Sequence, residues 1–428
     1  MEPNNILLIP DKYHWILGTI AKEIVKYNPD FSFAYSTRNQ VINAPERVIE
    51  LSRAVSLIHW ILDLEFYRTL NPKFATFPKT LASVHHVLDW EKAQKCKDAT
   101  LIHTVSYEWK EYLVDRGVDA KRIHVIPNGI DIRIFNPYIS QQSARQSFGI
   151  PDASFVIGFF GSAMPLSRVR KGVDCFIQSM LELQSQIPEM LLFISGQNWQ
   201  QDVEFLRSKA LRVIYPSFLP PSRMPAAYRS LDVFVVTSTV EGGPVTAFEA
   251  MASGVPLVST NVGMVRDAVI HEKHALILPT NKPDQIADAI LLLYGNSELN
   301  QRLSNNAVKL VQDSFQWSQV APKYGELYRF LLDQPQKSQK PLFSRKDHFI
   351  EQRKNMLVKD QAELLYSYWS QPHRKVVIDL FINIEMGFPE KVCVLLEFLR
   401  LIVYSARIRF VSWLRESVKA IRGVLGGE

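Results

Sequence analysis

Short apolar runs alternating with longer amphipathic stretches dominate the first 335 residues. Residues 5–9, 31–35, 54–58 and 80–84 read as strands, and 15–27 carries a helical period between the first two. Residues 101–106 and 125–126 continue the strand pattern up to Pro127-Asn128-Gly129. Beyond residue 143 it resumes at 155–160, 191–195, 213–214, 231–237 and from Val255 onward. Several of these runs are apolar throughout rather than alternating, as strands buried on both faces require. Strands separated by helical segments predict an α/β architecture built on parallel sheets.

The stretch 231–260 organises the rest. An apolar, β-branched run ends at Gly242-Gly243-Pro244, good helix formers follow over 245–252, and Ser253-Gly254 stops them before the next strand. Pro244 suits a first helical position, where no N–H is needed. In open α/β sheets ligands sit outside the carboxyl ends of the strands. Glu241, in the turn, and Glu249, on the helix face of Val245, can therefore point toward one ligand. The amides of Val245 and Thr246 lie at the helix start and suit a phosphate, which Gly243 lets approach. On spacing alone the two glutamates read first as a charge complementing the helix dipole and a solvated surface charge, and the spacing by itself is weak evidence for a site.

At 428 residues the chain exceeds one ordinary core and predicts two or three domains. Its 47% hydrophobic and 21% charged residues describe a globular protein, excluding disordered and fibrous classes. Cys96, Cys175 and Cys393 are scattered, without metal-ligand spacing, which argues against a structural zinc and fits a reducing compartment. The apolar run 6–9 is too short for a signal peptide, so the expectation is a cytoplasmic protein. From Gln336 to Glu428 sixteen Lys and Arg face ten Asp and Glu, which equals the +6 of the whole chain. The first 335 residues are thus neutral, which argues against a nucleic-acid-binding core.

The string S-x-x-E-G-x-P-x-x-x-x-E-A-M-A-x-G-x-P-V is met by Ser238, Glu241, Gly242, Pro244, Glu249, Ala250, Met251, Ala252, Gly254 and Pro256, with Leu257 for the final valine. It resembles the signature of the retaining glycosyltransferases of family four, which have the GT-B fold. A second string, from Ile126 through Asn128-Gly129-Ile130-Asp131 to Phe135 and Pro137, resembles the family's hinge. The resemblance implies two Rossmann-like, doubly wound domains facing a cleft, an acceptor side over 1–136 and a nucleotide-sugar side over 143–332. The extension 341–428 has no counterpart in it.

The resemblance also carries roles. Ser83-Val84-His85-His86 stands where the family has Thr-Val-His, so His85 would donate to a hydroxyl of the transferred sugar. Lys171 matches the lysine that stabilises the leaving diphosphate. Ser162 replaces the family's arginine after the loop glycine, Gly161, leaving Arg170 or Arg168 to supply the second charge, with Arg170 better placed. Glu249 would bind ribose hydroxyls and Glu241 a sugar hydroxyl, with Gly161, Ser162, Gly243, Pro244, Val245 and Thr246 around the diphosphate. Asp11-Lys12-Tyr13-His14-Trp15 departs from the family's glycine-rich acceptor loop. Without the resemblance, His85 reads as a satisfied structural histidine and Arg168, Arg170 and Lys171 as a solvated cluster.

The implied function is sugar transfer with retention, without a metal or cofactor, from a UDP- or GDP-sugar to a glycan or lipid-linked acceptor. The alternatives are a binding or scaffold protein that kept the fold and lost turnover, and a hydrolase or epimerase acting on the same donor. In the tail, a helical wheel over 392–425 gathers Leu396, Leu399, Val403, Phe410, Trp413 and Ile421 on one arc and Arg400, Arg407, Arg415, Lys419 and Arg422 on another. A basic amphipathic helix of this kind suits an anionic membrane surface, or packs on protein.

Overall fold

The computed structural model describes residues 5–11, 16–37, 54–61, 79–217 and 219–333. Residues 12–15, within the expected acceptor loop, and the tail with its amphipathic arc lie outside them.

Two six-stranded sheets carry the fold, and every strand pair in both is parallel. The first contains β1 (Asn5–Ile9), β2 (Ser32–Tyr35), β3 (Leu57–Trp60), β4 (Thr80–Val84), β5 (Leu101–Thr104) and β6 (Ile123–Val125), in the order β2-β1-β3-β4-β5-β6. The second contains β7 (Phe155–Phe160), β8 (Met190–Ser195), β9 (Arg212–Ile214), β10 (Val233–Val236), β11 (Leu257–Thr260) and β12 (Leu276–Leu278), in the order β12-β11-β10-β7-β8-β9. The second order reverses direction between β7 and β10, so its topological switch point, where such sheets hold ligands, lies between the loops after these two strands.

Continuous apolar runs gave strand positions that match β1, β4 and β7 residue for residue. The third strand sits later than its apolar run suggests: residues 54–56 precede it, and it runs through His59. A polar side chain can occupy a buried strand where it is hydrogen-bonded, and His59, fully buried, meets Ser83 and Tyr328. The helix Val245–Ala252 forms as expected, with Pro244 one position earlier, at the cap. Its end is a glycine cap: Gly254 takes φ +72°, and Val255 N–H donates to Ala250 O at 3.0 Å.

The last described helix, Trp317–Asp333, returns to the first sheet. Val320, Tyr324, Leu327, Tyr328 and Leu331 are buried against Ile20, Ile24, Tyr35 and Leu57. A Cβ on Gly325 would stand 2.0 Å from Asn28 Oδ1, and Asn28 Nδ2 donates to Ala321 O at 2.9 Å. The outgoing and returning chains touch where they cross, Ile130 N–H donating to Phe315 O at 2.7 Å.

Candidate active site

The loop after β7 is shaped to bring two cations to the switch point. Gly161 lies under the stem of Lys171, whose Cδ would be 2.9 Å from a Cβ there. A short helix, Pro165–Arg170, fills the middle of what reads in the sequence as plain loop. Gly172 then adopts φ +62°, and a Cβ on it would come within 2.1 Å of Thr237 O at the end of β10. Only glycine allows this approach without strain. Thr237 Oγ1 donates to Lys171 O at 2.7 Å and fastens the loop to β10.

Glu241, in the turn after β10, receives both cations. Lys171 Nζ donates to its Oε1 at 2.8 Å and Arg170 Nη1 to its Oε2 at 2.7 Å, while Ser238 Oγ donates to Oε1 at 3.1 Å. Burial alone would raise the Glu241 carboxyl, but Lys171 and then Arg170 outweigh it and hold the group below the ordinary carboxylate range. Arg168 is engaged elsewhere, by Asp174 and Asp202. Ser162 faces its own loop, its hydroxyl accepting from Met164 N–H at 3.2 Å.

Glu249 has the opposite setting. It accepts one hydrogen bond, from the Tyr228 hydroxyl at 2.8 Å, and burial pushes its carboxyl up to about 7. At the start of its helix Pro244 makes no side-chain cap, and the opening amides of Val245 and Thr246 have no intrahelical acceptor.

The diglycine turn is explained by protein contacts. A Cβ on Gly242 would stand 1.7 Å from His85 O, and one on Gly243 would meet Met264 Sδ at 2.4 Å and Asn128 Nδ2 at 2.8 Å. Besides any approach of a phosphate, these glycines meet a structural need: the loop after β10 is pressed against the loop after β4. His85 is thereby adjacent to the turn. Its Nε2 is buried and has no partner among the described residues, and burial, with the neighbouring His103 and His86, pushes the ring down to about 3, so it is neutral. Asn128 Oδ1 is likewise buried and unpartnered among them.

The structure therefore brings Glu241, Lys171, Arg170 and Gly161 into one cluster and sets His85 against the same turn. Glu249 lies one helical segment on, with no hydrogen bond to that cluster among the described residues. Two neighbours stand out only here, Trp109, whose indole N–H donates to Glu241 O at 2.9 Å, and Tyr228 as Glu249's partner, while Asn128, read in the sequence as part of the hinge string, joins them at the turn. A tryptophan or tyrosine on an apolar helix face reads as core, and no sequence signal separates these from the rest.

Carboxyl-end loops of β4 and β5 thus meet carboxyl-end loops of β10 and β11, so two parallel α/β sheets face one another, which is the GT-B architecture. The model of the Glycosyl transferases group 1 family matches residues 140–310, and that of Glycosyltransferase Family 4 matches 53–133. The chain belongs to the group 1 glycosyltransferases, a family of sugar-transferring enzymes.

It is 29% identical over 329 residues to YtcC of Bacillus subtilis (strain 168), a protein named as a glycosyltransferase, covering 70% of this chain and 79% of YtcC. It is 28% identical over 235 residues to the D-inositol 3-phosphate glycosyltransferase of Corynebacterium glutamicum (strain R), covering 52% of this chain and 54% of that enzyme. Among solved structures, HepE of Anabaena in complex with UDP-glucose superposes with a TM-score of 0.64 at 19% identity, over 76% of this chain and all of HepE. A glycosyltransferase from Rickettsia africae ESF-5 gives 0.66 at 15% identity, over 78% and 100%. At these identities the structures speak to the fold.

Proposed function

We propose that the protein transfers a hexose from a nucleotide-diphosphate sugar to a hydroxyl acceptor with retention of anomeric configuration and without a catalytic metal. The observation that carries this reading is the Lys171–Glu241–Arg170 cluster at the switch point. One carboxylate against two cations leaves a net positive charge where a diphosphate departs, in the place a metal ion would otherwise take. HepE, which shares the fold, is solved with UDP-glucose, in keeping with a nucleotide-sugar donor, here a UDP- or GDP-sugar.

In this reading the donor's sugar–oxygen bond breaks as Lys171 and Arg170 take up the charge of the leaving diphosphate, which keeps the bonding pair. The acceptor oxygen attacks from the same face, and its proton passes to the departing phosphate oxygen. Neutral His85 and ionised Glu241 hold sugar hydroxyls; Glu249 holds the ribose. Gly161, Ser162, Gly243, Pro244, Val245 and Thr246 line the diphosphate with backbone and small groups. The acceptor is a glycan or lipid-linked sugar of polysaccharide assembly, met at an anionic membrane surface through 391–428.

A panel of UDP- and GDP-sugars with a generic acceptor mixture, run with and without a chelator, tests this. Transfer that keeps the anomeric configuration and survives chelation is expected. Hydrolysis, epimerisation or binding without turnover would replace the reading, and activity restored only by magnesium or manganese would overturn the metal-free step.

A further inference from the structure

The turn that carries Glu241 is gripped from the other half of the molecule. Trp109 is buried in the helix Tyr107–Val114, at the carboxyl end of β5, and its indole N–H donates to Glu241 O at 2.9 Å. The next carbonyl, of Gly242, accepts from Met264 N–H at 3.1 Å in the first turn of the helix Gly263–Ala268. Gly263 adopts φ +50°, and a Cβ there would lie 2.0 Å from Gly242 O.

These two helices, one from each half, cap each other. Tyr107 N–H, the opening amide of the first, donates to Asp267 Oδ2 at 2.6 Å; Gly263 N–H, the opening amide of the second, donates to Glu108 Oε2. Neither helix has a side-chain cap from its own cap residue, Ser106 or Val262. Arg266 and Glu111 add an ion pair at 2.9 Å. Each carboxylate also meets the positive end of the partner helix's dipole. The crossed caps hold the helices together, and together they hold both carbonyls of the Glu241–Gly242 turn.

We propose that Trp109 is a positioning residue for Glu241: closure of the two halves, completed by the crossed caps, seats the indole N–H on the Glu241 carbonyl and sets the carboxylate between Lys171 and Arg170. This rests on the function proposed above. Lys171, Arg170 and Glu249 all belong to the second half, so loss of the indole contact leaves the groups assigned to the diphosphate and the ribose in place and disturbs the sugar-facing Glu241, beside His85 of the first half. Transfer then depends on the contact more steeply than donor capture does.

The Trp109→Phe variant keeps an aromatic ring in the core and deletes the N–H. A kcat at least tenfold lower, with the nucleotide-sugar Kd by calorimetry within twofold of wild type, is expected. Amide exchange in a peptide covering 238–246 should quicken at the same time. A kcat within twofold of wild type, or Kd and kcat falling in parallel, overturns the proposal. Should Trp109→Phe fail to fold, the double variant Glu108→Gln, Asp267→Asn, which weakens the crossed caps and leaves Trp109 intact, must show the same split. If the wild type transfers no sugar at all, the functional reading fails, and the exchange measurement alone decides whether Trp109 holds the turn.

Discussion

Glu241 and Glu249 stand eight positions apart, yet their surroundings push them in opposite directions. Glu241 is held ionised by two cations; Glu249 has a tyrosine hydroxyl and a desolvated carboxyl near 7. Ribose hydroxyls donating to Glu249 would favour its charged form, so binding below pH 7 should expel a proton. Donor affinity is then expected to rise with pH up to about 7, by at most tenfold per unit, and to level off above it. Calorimetry at pH 6 in buffers of different ionisation heat reads the released proton directly, and Glu249→Gln should abolish it. Equal heats in all buffers would remove Glu249 from the ribose. The sequence marks both glutamates but cannot assign their charge states, because the cations that decide Glu241 lie 70 and 71 positions away along the chain.

A buried row of polar side chains crosses the first sheet. His103 Nε2 lies 2.8 Å from Ile126 O, which fixes it as the donor; Ser83 Oγ then donates to His103 Nδ1, His59 Nε2 to Ser83 Oγ, and the Tyr328 hydroxyl to His59 Nδ1, at 2.7–2.8 Å. Every ring in this chain is neutral: burial pushes His103 down to about 4 and His59 well below its ordinary value. Above pH 6.5 neither the folded nor the unfolded chain charges these histidines. As pH falls from 6.5 toward 4, the unfolded rings take up protons that the folded ones refuse, so stability is lost at about 1.4 kcal/mol per pH unit for each ring. Glu249 opposes this, since its raised carboxyl gains stability as pH falls from about 7 through its unfolded value. With His85 a third depressed ring, the histidines outweigh it, and the urea midpoint should be clearly lower at pH 5 than at pH 7.5. Tyr328→Phe, which leaves His59 Nδ1 unpartnered, should cost about 1–3 kcal/mol at neutral pH; an unchanged midpoint would mean the row does not tie the helix down. Here the sequence was least legible. Apolar runs locate β1, β4 and β7, and the Ser253-Gly254 stop locates the end of the helix after β10. The pattern for β3 stops one residue short of His59 because a histidine's partners in a buried strand come from other strands and from a helix about 270 positions later, which periodicity cannot register.

At the scale of the molecule, no described helix is long and apolar enough to cross a membrane. The surface attachment proposed above rests on the tail, whose basic and apolar arcs are read from the sequence alone. Attraction of about 1 kcal/mol per basic residue, added to burial of Phe410 and Trp413, suits reversible attachment. Deleting residues from Lys391 onward should abolish flotation with anionic vesicles at low salt while leaving donor binding intact. A full-length protein that does not float, or a truncated one that precipitates, would show that the segment packs on protein instead. The helix Trp317–Asp333 has a different consequence. It follows the second sheet in sequence, yet buries its apolar face on the first. A fragment ending at residue 314 would lack the cover for Ile20, Ile24 and Tyr35, so residues 5–137 made alone should be an incomplete unit, rescued by a 317–333 peptide supplied in trans. The order in which the ribosome delivers the chain thus leaves the first half unfinished until after the second has emerged.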